Sequence, residues 1–131
     1  MPLTEVYFYK DDDGSAPVLD WLLELQEKNE RAARKCFSLV KLLRDLGNEL
    51  RRPRSDLLRD GVYELRTEVG KVNCRVLYGF VGKNAAVLAC GLTKEKTVPS
   101  SEIDTALARI GKYKKKPTQH RFVYEEETPD G

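Results

Sequence analysis

Four cations stand where strand-forming sequence is densest. Arg66 closes Tyr63-Glu64-Leu65-Arg66, Arg75 lies in Cys74-Arg75-Val76-Leu77-Tyr78, and Lys94 and Lys96 follow in Thr93-Lys94-Glu95-Lys96-Thr97. An arginine inside a sheet strand resists burial and needs a partner. Two uses of these residues are open. One is structural: a cross-strand ion pair with Glu64 or Glu68. The other is chemical: Arg66, Arg75, Lys94 and Lys96 converge on an open sheet face and act on a phosphodiester. Cleaving RNA without a metal requires that the 2′-hydroxyl lose a proton, that the five-coordinate phosphorane be stabilised, and that the leaving 5′-oxygen be neutralised. Fixed guanidinium and ammonium donors suit the second task. A lysine with a lowered pKa suits the first or third.

Other chemistries find little support. The one histidine, His120, has no nucleophile elbow around it. No phosphate-cradling glycine loop is present. Asp11-Asp12-Asp13 reads as a solvated turn rather than a metal site. Cys36, Cys74 and Cys90 are odd in number and widely spaced, with no Cys-x-x-Cys pair, so they read as small core hydrophobes. Neither a metal nor a cofactor is expected.

The charged fraction is 34%, above the usual ~25%, and the net charge of +2 conceals a pattern. Residues 1–30 carry two basic and eight acidic side chains, whereas residues 31–59 carry nine basic and three acidic. Residues 94–116 are basic again, and 117–131 are acidic. Such asymmetry is the footprint of a phosphate binder. Arg31, Arg34, Lys35, Lys41, Arg51, Arg52 and Arg54 form the first basic block and are the candidates for contacting RNA away from the reacting bond; the plain alternative is a solvated helix face. The longest apolar run, Ala85 to Cys90, falls far short of the ~20 residues of a membrane span. Met1 to Glu5 lacks the basic and apolar regions of a secretory signal. A cytoplasmic chain with no membrane partner is the expectation.

The elements that must hold these residues follow from periodicity. Leu3 to Tyr9 reads as a strand, and Asp11 to Gly14 as a turn. Pro17 opens a helix with an apolar stripe of Val18, Trp21, Leu22 and Leu25. A second helix runs from about Glu30 to Leu46 and stops at Gly47, burying Ala33, Cys36, Phe37, Val40 and Leu43. Arg51 to Arg54 reads as a stiff loop that Leu57-Leu58 tacks to the core. Three strands follow, Val62 to Val69, Val72 to Val81 and Ala85 to Leu92, whose short turns demand antiparallel neighbours. A last helix runs from Pro99 to about Tyr113. The fold class is α+β: a strand, two helices, a three-strand meander and a closing C-terminal helix, with an antiparallel sheet covered by helices on one face and partly open on the other. One domain spans 1–117, and 118–131 is an acidic, flexible tail.

At Pro17-Val18 to Trp21-Leu22, Tyr63-Glu64-Leu65-Arg66, Arg75-Val76-Leu77-Tyr78, Gly91-Leu92-Thr93-Lys94-Glu95-Lys96-Thr97-Val98-Pro99 and Glu102-Ile103-Asp104, the order and spacing resemble the RelE/ParE superfamily of toxins, in its phage-derived, HigB-like branch. The resemblance covers residues 3–113. It implies a RelE-like fold and a toxin of a type II toxin–antitoxin system. Such a toxin is a metal-independent endoribonuclease that enters the ribosomal A site and cuts mRNA. It also implies a cognate antitoxin of the helix-turn-helix DNA-binding kind. By motif position, Arg75 matches the strand arginine that contacts the scissile phosphate, Arg66 the basic position on the preceding strand, and Lys94 and Lys96 the basic pair after the last strand. Cys90 stands where related sequences often carry histidine, so the general base is not identified; His120 and Tyr124 are C-terminal candidates. A non-enzymatic ParE-like inhibitor of DNA gyrase and an inactive, decayed toxin are the alternatives.

Overall fold

The computed structural model describes residues 4–50, 54–93 and 97–122. The elements run β1 (Glu5–Tyr9), α1 (Pro17–Lys28), α2 (Glu30–Leu46), a short 3₁₀ turn (Gly47–Glu49), β2 (Ser55–Arg59), β3 (Val62–Val69), β4 (Val72–Val81), β5 (Ala85–Thr93), α3 (Ser100–Lys115) and β6 (Arg121–Phe122). They build an α+β fold around one six-stranded sheet of order β2-β3-β4-β5-β1-β6. The sheet is antiparallel except where β1 runs parallel to β5, Glu5 opposite Ala85 and Phe8 opposite Leu88.

Local chemistry sets the boundaries. Pro17 occupies the first turn of α1, where its missing N–H leaves no bond unmade. Asn29 ends α1 and begins α2: its Oδ1 accepts from the Ala32 N–H at 3.1 Å, satisfying one orphan donor of the new helix. Gly47 closes α2 at φ 54°, a conformation that side chains resist. Asp60 and Gly61 both take positive φ, which matches the two-residue turn that joins β2 to β3.

The helices divide between the two faces of the sheet. α1 and α2 pack over Leu65, Cys74, Val76, Tyr78, Ala86 and Leu88. α3 packs on the opposite face through Ile103, Ala106 and Ile110, against Val62, Leu77, Ala89, Cys90 and Leu92. The expectation of helices on a single face is thus corrected. The residues of β3 and β4 alternate between the two clusters, so both sides of the meander are apolar and each requires cover. A bulge sharpens the division. Leu77 pairs with Cys90 while Tyr78 pairs with Leu88, which leaves Ala89 as an extra residue and turns both Ala89 and Cys90 toward α3. Close approach on each side is marked by glycine. A Cβ on Gly91 would collide with the Trp21 ring of α1, and one on Gly79 would lie 2.7 Å from Ile110 of α3.

Two strands were not read from the sequence. β2 takes up Leu57 and Leu58, the expected tack: Leu58 packs against the core while Leu57 is 54% exposed, and Ser55 adds a 2.5 Å hydrogen bond with the buried Tyr78 hydroxyl; of the loop read at Arg51 to Arg54, residues 51–53 lie outside the described residues. β6 pairs with β1, Phe8 opposite Phe122, so the sheet reaches into the stretch read as tail. Residues 123–131, with Tyr124, lie outside the described residues. The three cysteines are free and buried. Among the described residues no helix is long and apolar enough to cross a membrane.

Candidate functional site: a cationic sheet face

α3 covers only part of its side of the sheet. Beyond it, β3 and β4 present a polar cluster. Arg66 stands directly opposite Arg75 in the ladder, and Glu64, two residues back along β3, stands opposite Leu77. Since side chains alternate along a strand, Glu64, Arg66 and Arg75 share one face, that of Leu77 and α3. Two like charges placed opposite each other destabilise a sheet. Here the Glu64 carboxylate offsets the repulsion. Its Oε2 accepts from Arg75 Nη1 at 3.2 Å, and its Oε1 lies 3.6 Å from Arg66 Nη1.

Burial separates the two arginines. The side chains of Glu64 and Arg75 are 3% and 8% exposed, whereas that of Arg66 is 40% exposed. The ion-pair reading of the sequence is therefore realised at Glu64, and Arg75 is held within the sheet surface. The cluster carries one negative and two positive groups, and the excess positive charge resides on Arg66, which solvent reaches. Lys94 and Lys96 lie outside the described residues; the last described residue before them, Thr93, stands opposite Cys74, the neighbour of Arg75.

The other basic residues occupy different ground. Arg31, Arg34, Lys35 and Lys41 are exposed on α2, across the sheet from Arg66 and Arg75. Arg34 donates to Glu30 at 3.0 Å, one turn away. Arg34 and Lys41 flank a shallow groove of about 290 Å³ whose wall includes Ala33 and Phe37. Arg54 is exposed, and its carbonyl accepts from the Arg66 N–H at 2.9 Å. Arg51 and Arg52 lie outside the described residues.

Cys90 is buried under α3. Burial pushes its thiol up to about 11, which makes it a poor base and a poor nucleophile near neutral pH. His120 is also buried. Its ring stacks on Tyr9 with centroids 5.5 Å apart, and Nδ1 lies 2.8 Å from the Lys10 carbonyl. Nε2 stands 3.7 Å from Asp12, whose carboxylate also takes Lys112 at 2.8 Å and is held below the usual range mainly by that bond. β5 and β1 stand between β6, which follows His120, and β4, which carries Arg75. These contacts make His120 a clamp for the C-terminal strand. Among the described residues no group of three or more His, Cys, Asp and Glu side chains is arranged to hold a metal.

One cation near the sheet was missed in the sequence. Arg109 of α3 donates to the Ala89 carbonyl at 2.8 Å, at the bulge, and sits 5.8 Å from the centre of the Tyr9 ring. Its signal was available: a lone cation within one turn of the buried Ala106 and Ile110 on a helix.

Comparison with curated proteins finds no match. A family model described as phage derived protein Gp49-like (DUF891) matches residues 20–111, from within α1 through the whole meander and most of α3. The matched span contains Glu64, Arg66 and Arg75, together with the exposed cations of α2. The chain belongs to this Gp49-like family of phage-derived proteins, a RelE-like toxin family.

Proposed function

We propose that the protein is the toxin of a type II toxin–antitoxin pair and acts in the cytoplasm as a ribosome-dependent, metal-independent mRNA endoribonuclease of the HigB-like branch. The observation that carries this reading is the cationic cluster on the part of the sheet face that α3 leaves uncovered, with Arg66 open to solvent. A guanidinium fixed there is suited to stabilising a phosphorane as charge develops on it. Arg66 and Arg75, with Lys94 and Lys96 from the segment after β5, form the reacting side. Arg31, Arg34, Lys35 and Lys41 of α2, with Arg51, Arg52 and Arg54, bind ribosomal RNA. The carboxylate beside Arg66, that of Glu64, is buried and engaged by Arg75, so the ribosome supplies substrate geometry; positioning alone contributes roughly 7–11 kcal/mol in favourable cases. The cognate antitoxin, a helix-turn-helix protein, neutralises the toxin by laying an acidic or amphipathic segment on the basic sheet face or in the α2 groove.

Primer extension on a reporter mRNA tests the reading. Cleavage is expected within codons when translation is active and absent when initiation is blocked. Rapid cutting of naked RNA at low protein concentration, or intact mRNA during growth arrest, overturns it. One observation favours a second reading: the engagement of Arg75 by Glu64 is a structural use of that arginine, as expected if the chain were a non-enzymatic inhibitor of DNA gyrase. Growth arrest with supercoiling lost and mRNA intact selects that alternative.

A further inference from the structure

We propose that Glu64 is a positioning residue that holds Arg66 in the orientation to meet the scissile phosphate, with Arg75 as its buried anchor. This rests on the nuclease reading above and assigns roles within it. Three observations carry it.

The first is access. A phosphate arriving from solvent meets the 40%-exposed Arg66, whereas the side chains of Arg75 and Glu64 are 8% and 3% exposed. The second is the difference between the two bonds that Glu64 makes. Its contact with Arg75 is a hydrogen bond at 3.2 Å, while Arg66 stands 3.6 Å from the other oxygen, beyond hydrogen-bond length but within reach of charge attraction. Glu64 is thereby fixed at one end and steers at the other. Arg66 keeps its donors for a ligand, and its direction is biased without being locked. The third is the register. Arg66 and Arg75 are direct cross-strand partners, and the Glu64 carboxylate on the same face, in contact range of both, offsets their repulsion. In its absence the flexible stem of Arg66 would lose its preferred direction.

The experiment pairs single-turnover cleavage in a translating extract with NMR of the arginine Nε–Hε groups, titrated with a 2′-O-methyl RNA oligonucleotide, which binds but lacks the attacking hydroxyl. With Glu64→Gln, the expectation is cleavage per folded molecule reduced about 10²-fold at saturating substrate, the scale of a misplaced reacting group, with half-saturation little changed. The oligonucleotide should shift Arg66 and leave Arg75 in place. If Glu64→Gln folds poorly, Glu64→Asp keeps the charge but withdraws it by one methylene, and the same loss at saturation is expected. Cleavage per folded molecule equal to the parent in whichever of these variants folds shows a merely structural carboxylate and overturns the proposal. Movement of Arg75 in place of Arg66, or of neither at saturating oligonucleotide, overturns it as well. A parent protein that shifts Arg66 on binding yet cuts no translated mRNA sinks the nuclease reading instead and leaves the assignment of the phosphate contact standing.

Discussion

Replacing Arg75 by alanine removes the partner of a carboxylate that is almost wholly inside the protein. The Glu64 side chain is 3% exposed, and among the described residues the change leaves Arg66, 3.6 Å from one oxygen, as the cation beside it. Removing one member of a buried ion pair typically costs about 3–5 kcal/mol, because the other charge is left desolvated. The Arg75 stem also packs within the sheet surface, and that contact is lost too. The residual attraction of Arg66 places the expected loss at the lower end, about 3 kcal/mol. In a domain of this size each kcal/mol corresponds to about 3–5 °C in melting temperature, so Arg75→Ala should melt about 10–15 °C lower. Replacing both partners, as in Glu64→Leu with Arg75→Met, should recover most of that loss, since an apolar pair of similar volume carries no desolvation penalty. Circular dichroism melts of the three proteins at one buffer and scan rate decide the matter. An Arg75→Ala protein melting within about 2 °C of the parent, the range of an ordinary surface change, refutes the reasoning, as does a double variant no more stable than the single one.

Other consequences can be checked alongside. Replacing Arg31, Lys35 and Lys41 together should weaken ribosome binding and flatten its salt dependence by about one unit of slope per lost phosphate contact, measured by filter binding across salt concentrations; an unchanged slope reduces α2 to a solvated face. Gly91→Ala should destabilise by about 1–3 kcal/mol in denaturant melts, because its methyl collides with the Trp21 ring. The Cys90 thiol is raised from 9.0 to about 11 mainly by burial, so the folded state favours the neutral form. Its contribution is complete below pH 9 and is lost as pH rises through about 11, up to about 3 kcal/mol. Cys90→Ala should therefore flatten the decline in stability over that window, seen in urea melts at successive pH values.

The sequence made some elements plain and concealed others for identifiable reasons. Pro17 opens α1 and Gly47 closes α2 so firmly that both limits are legible in the sequence, while the Asn29 cap between the helices is not. The meander was legible because Asp60-Gly61 and Gly70 mark its turns. The side on which α3 packs was not, since Leu92, Val62 and Leu77 are as apolar as the residues facing α1, and periodicity cannot tell one buried face from another. β2 was hidden by its basic flank and by Leu57, which faces water. At the site, residue type alone picked out Arg66 and Arg75. Which of them is buried depends on where Glu64 falls in the register, and that is a relation between strands. His120 was read as part of a tail because nothing near it in sequence announces Tyr9, its stacking partner across the fold.

The placing of β1 bears on how the chain is made. The strand precedes the other elements described, yet its ladder partners are Ala85 to Leu88 on one side and Arg121 and Phe122 on the other. Until β5 has left the ribosomal tunnel, β1 has no neighbour to pair with, and the apolar side chains of Val6 and Phe8 wait in solvent. Closing so long a loop is slow compared with forming a helix pair such as α1–α2, because the entropy of the intervening chain opposes it. The pairing of β1 is therefore the most non-local step in building this sheet. The cationic face needs only β3 and β4 in register, strands joined by a short turn, so its two arginines meet through local pairing while the sheet's other edge waits on distant partners.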